Sequence, residues 1–417
     1  MSGALQTLRQ VEAADVYVGD ELAAELHRTR TGTRFRYLPA HLGRRGRPVA
    51  TSLPPSNDDV VTPAGALPAF FAGLLPEGRR LQAVRTATKT SADDDLTLLL
   101  AVGTDTIGHV RIVPRGEVPP IEPADIPEVA TPQEVSFAEL FAHATGTGTE
   151  ELDRVALPGV QDKVSGRMIA FPVSGPRGRY LLKLDPPEFP HLVANEAFFL
   201  HAARACGLAT ASARVVTDRD GRQGLLVERF DRRLHDGALE RLAQEDGCQV
   251  LGRYPADKYR LSAEEVVHGL SAVTAAPVVA ARELLRQLAF AYLTGNGDAH
   301  AKNLSIRQTP GGEWRPTPAY DVPSSHPYGD TTMALTIDGT DREDLTWRAF
   351  VALGEATGVP ERAVRRTLSE LVQRTDRWLG ALDELPFDQR RIHRLRRLIL
   401  DRRAKLTPPH PASSTVT

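Results

Sequence analysis

The sequence predicts an α+β fold in which a strand-rich lobe is followed by a helical lobe, both preceded by a mixed α/β subdomain. Three observations predict it. Residues 150–235 hold short apolar runs separated by Gly-rich turns, which is strand patterning. From 260 onward apolar residues recur at helical spacing. A Pro/Glu-rich stretch, 117–136, sets off the first hundred residues as a unit. At 417 residues the chain exceeds one small core, so more than one domain is expected.

In order, VYVGDELAAELHR and RFRYLP read as strands with a Gly-Asp turn. PAFFAGLLPEGRRLQAVRTA and DDDLTLLLAV read as helices, and GHVRIVPRG returns as a strand. SFAELFAHA is a short helix after the linker. RMIAFPVS and RYLLKLDPP form a hairpin across GPRG, and NEAFFLHAARACG is a helix closed by Gly207. SARVVTD and GLLVERFDRR form a second hairpin across DRDG. Helices are then expected over SAEEVVHGLSAV, VVAARELLRQLAFAYLTG, TWRAFVALGEA, the whole of 361–385, and QRRIHRLRRLILDRRAKL. The expected division is a subdomain at 1–116, linker and short helix at 117–148, strand-rich lobe at 149–257, helical lobe at 258–408, and a disordered tail at 409–417.

Composition narrows the function. The hydrophobic fraction of 41% and charged fraction of 25% are ordinary for a globular protein. A net charge of -2 argues against a surface built wholly for nucleic acid or membrane. Two cysteines give no disulfide framework, the N-terminus does not read as a signal peptide, and no apolar run reaches membrane-spanning length. A cytoplasmic protein is the expectation. Only six of the 51 basic residues are lysines (89, 163, 183, 258, 302, 405), and asparagine occurs only at 57, 195, 296 and 303. Where Arg serves as the generic cation, a retained Lys is a candidate for a place needing a compact ammonium.

The strongest chemical element is GNGDAHAKNLSI, 295–306. Asp298 and Asn303 are five positions apart, the separation found in the protein-kinase catalytic loop, where the Asp takes a hydroxyl proton and the Asn holds magnesium. Alone this spacing is a weak motif, and a self-capping polar turn fits it better. Within it, Lys302 is placed to meet a transferring phosphate and His300 to brace the loop. The turn TPGGEW then brings RPTPAYD back, so Asp321 is expected beside Asn303 as a second oxygen ligand for magnesium. Lys183 lies mid-strand in RYLLKLD, with Glu196 on the next helix as the expected partner. A water-facing strand lysine is the alternative. LPGVQDKVSG, 157–166, is a Gly-flanked loop able to cradle phosphates, although it is neither a Walker A nor a dinucleotide motif. LLVERFDRR ends a strand between the two halves, where Phe230 fits an adenine-contacting hinge or a core position alike.

Taken together, PGVQDK, YLLKLDPP, ANEAFFLHAARACGL, LLVERFDRR, QEDGCQVLG…KY, GNGDAHAKNLSI and PAYDVPSSHPYG closely resemble the HipA family of toxin kinases. VYVGDELAAEL and FFAGLLPEG resemble that family's N-terminal subdomain. The resemblance implies a two-lobed protein-kinase-like fold using ATP and Mg2+ to phosphorylate serine or threonine. It implies an aminoacyl-tRNA synthetase as target class, stalled translation and dormancy. It also implies a small helix-turn-helix DNA-binding antitoxin of the HipB type as partner, with DNA touched only through it and no membrane. By position it makes Asp298 the general base, with Lys302 and His300 beside it, and Asn303 and Asp321 the metal ligands. Lys183 contacts ATP phosphates, Glu228, Arg229 and Phe230 lie at the hinge, and Gly159, Val160, Gln161 and Lys163 form the phosphate-side loop. One departure stands out. Family members commonly carry a serine three residues before the loop glycine, whose autophosphorylation switches the enzyme off. Here Ala156 stands there, and Ser165 is the nearby hydroxyl.

Two other readings compete. One is an antitoxin-binding scaffold whose basic C-terminal helix (Arg394, Arg397, Arg402) touches DNA phosphates, against a solvated face with Ile392, Leu395 and Ile399 turned inward. The other is a small-molecule phosphotransferase with a similar loop.

Overall fold

A computed structural model describes residues 2–409 apart from 31, 92–93, 122–125, 130, 146–167, 176–177, 187, 237 and 341–343. The N-terminal unit is a five-stranded antiparallel sheet. It comprises β1 (Ala13–Val18), β2 (Glu21–Thr29), β3 (Gly32–Tyr37), β4 (Val60–Pro63) and β5 (Val110–Pro114) in the order β4-β3-β2-β1-β5. β1 is buried at every position, with β2 and β5 on either side. Phe35, Phe71, Leu96 and Leu99 lie in the core beneath.

The single helix expected over 68–87 is two, Ala69–Gly73 and Gly78–Thr88. Pro76 has no amide hydrogen and its ring disfavours helical backbone before it, so the helix stops. The break takes Leu74–Glu77 out of helical register, and Leu74, Leu75 and Pro76 line the cleft described below. Within the 117–136 stretch, Pro127 and Val129 are bonded to the strand-rich lobe through Ser174 (Val129 N to Ser174 O 2.8 Å, Ser174 N to Pro127 O 2.8 Å).

The strand-rich lobe is an antiparallel sheet of β6 (Ile169–Gly175), β7 (Gly178–Leu184), β8 (Ala213–Thr217) and β9 (Gln223–Glu228), ordered β6-β7-β9-β8. Successive side chains of a strand face opposite ways. Leu182 and Leu184 point into a core with Phe137, Phe141 and Phe171. Leu181 and Lys183 therefore point the other way, into the cleft. A hairpin of β10 (Arg232–His235) and β11 (Ala238–Arg241) follows β9, where the expected strand ran unbroken to Arg233 and β11 was not expected.

The helical lobe is entered early. β12 (Gln244–Asp246) pairs with β13 (Ser305–Gln308), which pairs with β14 (Trp314–Pro316). The QED segment thus packs with the helical half, ahead of the boundary read at 257/258. Helix Ala263–Ala272 starts in a capping box of Ser262 and Glu265. Helix Pro277–Thr294 is buried almost throughout its C-terminal half and stops at Gly295, in the left-handed region at φ 71°. A Cβ there would lie 2.7 Å from the Leu398 side chain. The helix expected over 361–385 ends at Arg374. The chain then tightens through Thr375–Arg377 so that Trp378 is buried, its Nε1 donating to Cys206 Sγ at 3.1 Å. One hydrophobic cluster runs from Val193 to Leu406, so the helix following β7 and the helical lobe share a core.

The N-terminal unit is tied to the helical half at the QED segment. Thr51 donates through N and Oγ1 to the two carboxylate oxygens of Glu245 (2.8 and 2.6 Å), and Gln249 Nε2 donates to Phe70 O at 3.0 Å. Burial pushes the Glu245 carboxyl up to about 7, against the two Thr51 bonds. A raised carboxyl binds a proton in the folded state that the unfolded chain releases near an ordinary value of about 4.3. Its contribution is therefore present at the acid side of that window and lost as pH rises towards 7. Urea midpoints of Glu245→Gln are expected to vary less than wild type between pH 5 and 7.5; an unchanged slope would assign the pH dependence elsewhere.

Candidate functional site

The cleft between the lobes has a volume of about 270 Å³. One end is apolar, formed by Leu181, Val227, Phe230 and Tyr320, with Leu75 and Ile107 reaching in from the N-terminal unit. The other end carries Lys183, Lys302, Asp246 and Gln249.

Lys183 is placed by strand alternation, and its charge is compensated. Nζ donates to both oxygens of Glu196 (2.7 and 2.9 Å) and to Asp321 Oδ1 at 3.3 Å. Burial pulls the ammonium down, but Asp321 and Glu196 outweigh it and hold the pKa above the ordinary lysine value. Glu196 lies on helix Leu192–Ala205, whose N-terminus is fixed by Asp185 accepting from His191 N (2.9 Å) and Val193 N (2.6 Å).

The β13–β14 hairpin returns the chain as expected. Asn303 and Asp321 line one small cavity with Asn296 and Tyr320. Asp321 has φ 54°, a left-handed conformation that is costly for a non-glycine residue and clusters at functional sites. Asn296 Nδ2 donates to its carbonyl at 3.3 Å. Asn303 Nδ2 donates to Asp298 O at 2.9 Å, closing the loop on itself. Asn195 exchanges two hydrogen bonds with Ser324, holding the segment just after Asp321 (2.8 and 3.0 Å). Three of the four asparagines and three of the six lysines thus gather around one site.

Asp298 is buried, and Tyr259 donates to its Oδ1 at 2.7 Å. Lys302 lines the cleft but is already paired: Nζ donates to Asp246 Oδ2 at 2.7 Å and to Gly73 O at 3.2 Å, with Glu77 at 3.7 Å. The Glu77 side chain also accepts from Lys258. Burial pushes the Glu77 carboxyl up, yet Lys302 and Lys258 hold it below the usual carboxylate range.

Three expectations need correction. His300 does not line the cleft: its ring packs edge-on against Tyr259, with centroids 5.1 Å apart, and its buried Nδ1 has no hydrogen-bond partner. Burial, then Lys258, push its pKa down to about 3, so it is a neutral brace through its backbone and ring. Arg229 lies along the cleft wall, but its guanidinium is committed to Asp105 (2.6 Å) and Asp231 (2.9 Å), which joins the hinge to the N-terminal unit. Arg402 is no surface cation. It is 1% exposed, donates to Tyr292 O and Thr331 O, and stacks over the Tyr292 ring. Ile392, Leu395 and Ile399 do face inward.

Glu228 and Phe230 line the cleft at its apolar end. Gly159, Val160, Gln161 and Lys163, with Ala156 and Ser165, lie outside the described residues. Sequence reasoning assigned no role to Glu77, Asp246 or Tyr259. The scarcity of lysine marked their partners Lys258 and Lys302, and QED and KY were motifs without a stated task. Among the described residues no helix is long and apolar enough to cross a membrane.

A strand lobe and a helical lobe around a cleft, with a buried strand lysine paired to a helix glutamate, define a protein-kinase-like fold. Comparisons with known proteins agree. The family model for the HipA-like C-terminal domain matches residues 155–379, and that for the HipA N-terminal domain matches 14–113. The chain belongs to the HipA family. A protein of Sinorhizobium fredii is 33% identical over 327 residues, covering 73% of this chain and 76% of its own. The serine/threonine-protein kinase toxin HipA of Shewanella oneidensis is 28% identical over 388 residues, covering 86% and 87%. The fold matches Shewanella oneidensis HipA, solved in complex with HipB and operator DNA. The TM-score is 0.73 at 23% identity, over 94% of this chain and 96% of that one.

Proposed function

We propose that this chain is an ATP-dependent serine/threonine protein kinase acting as the toxin of a toxin–antitoxin pair. The observation that carries the reading is the Lys183–Glu196–Asp321 cluster beside the Asp298–Asn303 loop. A buried ammonium held in place by two carboxylates is a fixed donor for the phosphates that phosphoryl transfer must position, and the oxygens of Asn303 and Asp321 suit magnesium. Lys183 holds the ATP phosphates, Leu181, Val227 and Phe230 enclose the adenine, and Glu228 lies at its edge. Gly159, Val160, Gln161 and Lys163 are assigned to the phosphates from their motif. Magnesium, when bound, neutralises charge on the transferring phosphate. Asp298 takes the proton of the target hydroxyl as its oxygen bonds to the γ-phosphorus. The bond from that phosphorus to the β–γ bridging oxygen breaks, and ADP departs. Lys302, held by Asp246 and Glu77, keeps the loop in place at the cleft.

Biologically, the reading extends to an aminoacyl-tRNA synthetase as target and to restraint by a HipB-like helix-turn-helix antitoxin that carries the pair to operator DNA. Family membership supports both. Expression without a partner is expected to arrest bacterial growth, and Asp321→Ala at equal abundance to relieve the arrest. Equal toxicity of the two would overturn the kinase reading. Phosphoproteomics after induction identifies the target.

A further inference from the structure

We propose that Tyr259 is a positioning residue for the base carboxylate, fixing the orientation in which Asp298 meets the target hydroxyl. The inference rests on Asp298 being the base.

The terminal torsion of an aspartate is broad and nearly two-fold, so backbone geometry alone does not decide which oxygen leads. The backbone of Asp298 is fixed: its N donates to Asn296 Oδ1 at 3.1 Å, and its O accepts from His300 N and Asn303 Nδ2 (2.8 and 2.9 Å). The Tyr259 hydroxyl, donating to Oδ1 at 2.7 Å, holds the carboxylate at one rotation and so fixes how it is presented to an incoming hydroxyl. A base within hydrogen-bond reach but rotated away from the proton loses most of its effect, because proton transfer is steep in geometry.

Tyr259 is itself held from several sides. Its ring meets the His300 ring edge-on, and Lys258 Nζ lies 5.3 Å from its centroid. Lys258 is paired with Glu77 across the break in the N-terminal helix, and Lys258 O accepts from Ala301 N at 3.2 Å. The tyrosine is therefore clamped between the N-terminal unit and the catalytic loop. A phenol that served only to fill space would not need its hydroxyl at a buried carboxylate.

Tyr259→Phe keeps the ring contacts and removes only the hydroxyl. The full chain is assayed with magnesium and labelled ATP for γ-phosphate transfer into a heat-treated bacterial lysate. The maximal rate is expected to fall tenfold or more. Half-saturating ATP, equilibrium ATP binding and melting temperature should stay close to wild type. A maximal rate within twofold of wild type would overturn the proposal, as would a fall in rate matched by lost ATP binding or lost stability. Asp298→Asn is run alongside. Retained transfer there removes the base reading and this proposal together, whereas an inactive Asp298→Asn with an unaffected Tyr259→Phe removes only this one.

Discussion

Asp298→Asn is expected to lower γ-phosphate transfer by about 10²–10⁴-fold, the usual worth of a positioned general base, while ATP binding stays near wild type. The carboxylate has no assigned contact with nucleotide, so its loss should not empty the cleft. The amide is isosteric and still accepts from Tyr259 through its oxygen, and the backbone at 298 keeps its bond to Asn296 Oδ1 and its bond from Asn303 Nδ2. What disappears is the group able to take a proton. Single-turnover transfer, measured beside equilibrium nucleotide binding, separates the two terms. Retained transfer would show that the hydroxyl loses its proton elsewhere, and His300 would be a poor substitute, since burial and then Lys258 push its pKa down to about 3 and leave it a weak base.

The second large effect is on stability. Asp231→Ala is expected to destabilise the fold by about 3–5 kcal/mol, because it leaves buried guanidinium groups short of a counter-charge. Asp231 accepts from Arg229 (3.1 and 2.9 Å), Arg232 (2.8 Å) and Gly108 N (2.8 Å). Asp105 holds the other side of both arginines at 2.6 and 2.9 Å. The carbonyls of Thr106 and Gly108 take further donors, so two arginines and two aspartates form a neutral, hydrogen-bonded group. Burial pushes both carboxyls up, yet Arg229 and Arg232 hold them below the ordinary range. A depressed carboxyl contributes stability above its unfolded value of about 3.9 and loses it as pH falls through the folded one. Urea unfolding at neutral pH should show the full loss in Asp231→Ala, and the gap to wild type should narrow in strong acid. A loss under about 1 kcal/mol at neutral pH would mean that the group relaxes to water.

This group also shows how far sequence reading reached. Arg229 was read as a hinge residue because it follows a strand at the boundary of the halves. Its backbone does run there, with N bonded to Arg179 O at 2.9 Å. Its side chain turned away because Asp105, 124 residues earlier, offered a buried partner. Lys183 presented the opposite case. Alternation in a strand with Leu182 and Leu184 allowed only two faces, and the structure turned it to the one bearing Glu196 rather than to water. The helix breaks at Pro76 and after Arg374 were missed for different reasons. Apolar periodicity ran through Pro76 undiminished, and only burial of Trp378 against Cys206 drew the chain out of helix at Thr375.

What the sequence determined by itself was whatever lies within a few residues: the strand and helix periods, the cap at Ser262, the helix end at Gly295, and the 295–306 loop with its Asp-to-Asn spacing. Local backbone preference and short-range hydrogen bonds decide these, and both are written in adjacent residues. Tertiary structure alone decided that Glu77 meets Lys258 and Lys302, that Asp246 pairs with Lys302, and that Tyr259 meets Asp298. Those partners are 39 to 225 residues apart. Which buried charges pair at such separations depends on how three packed units exclude water together, and no local pattern encodes that.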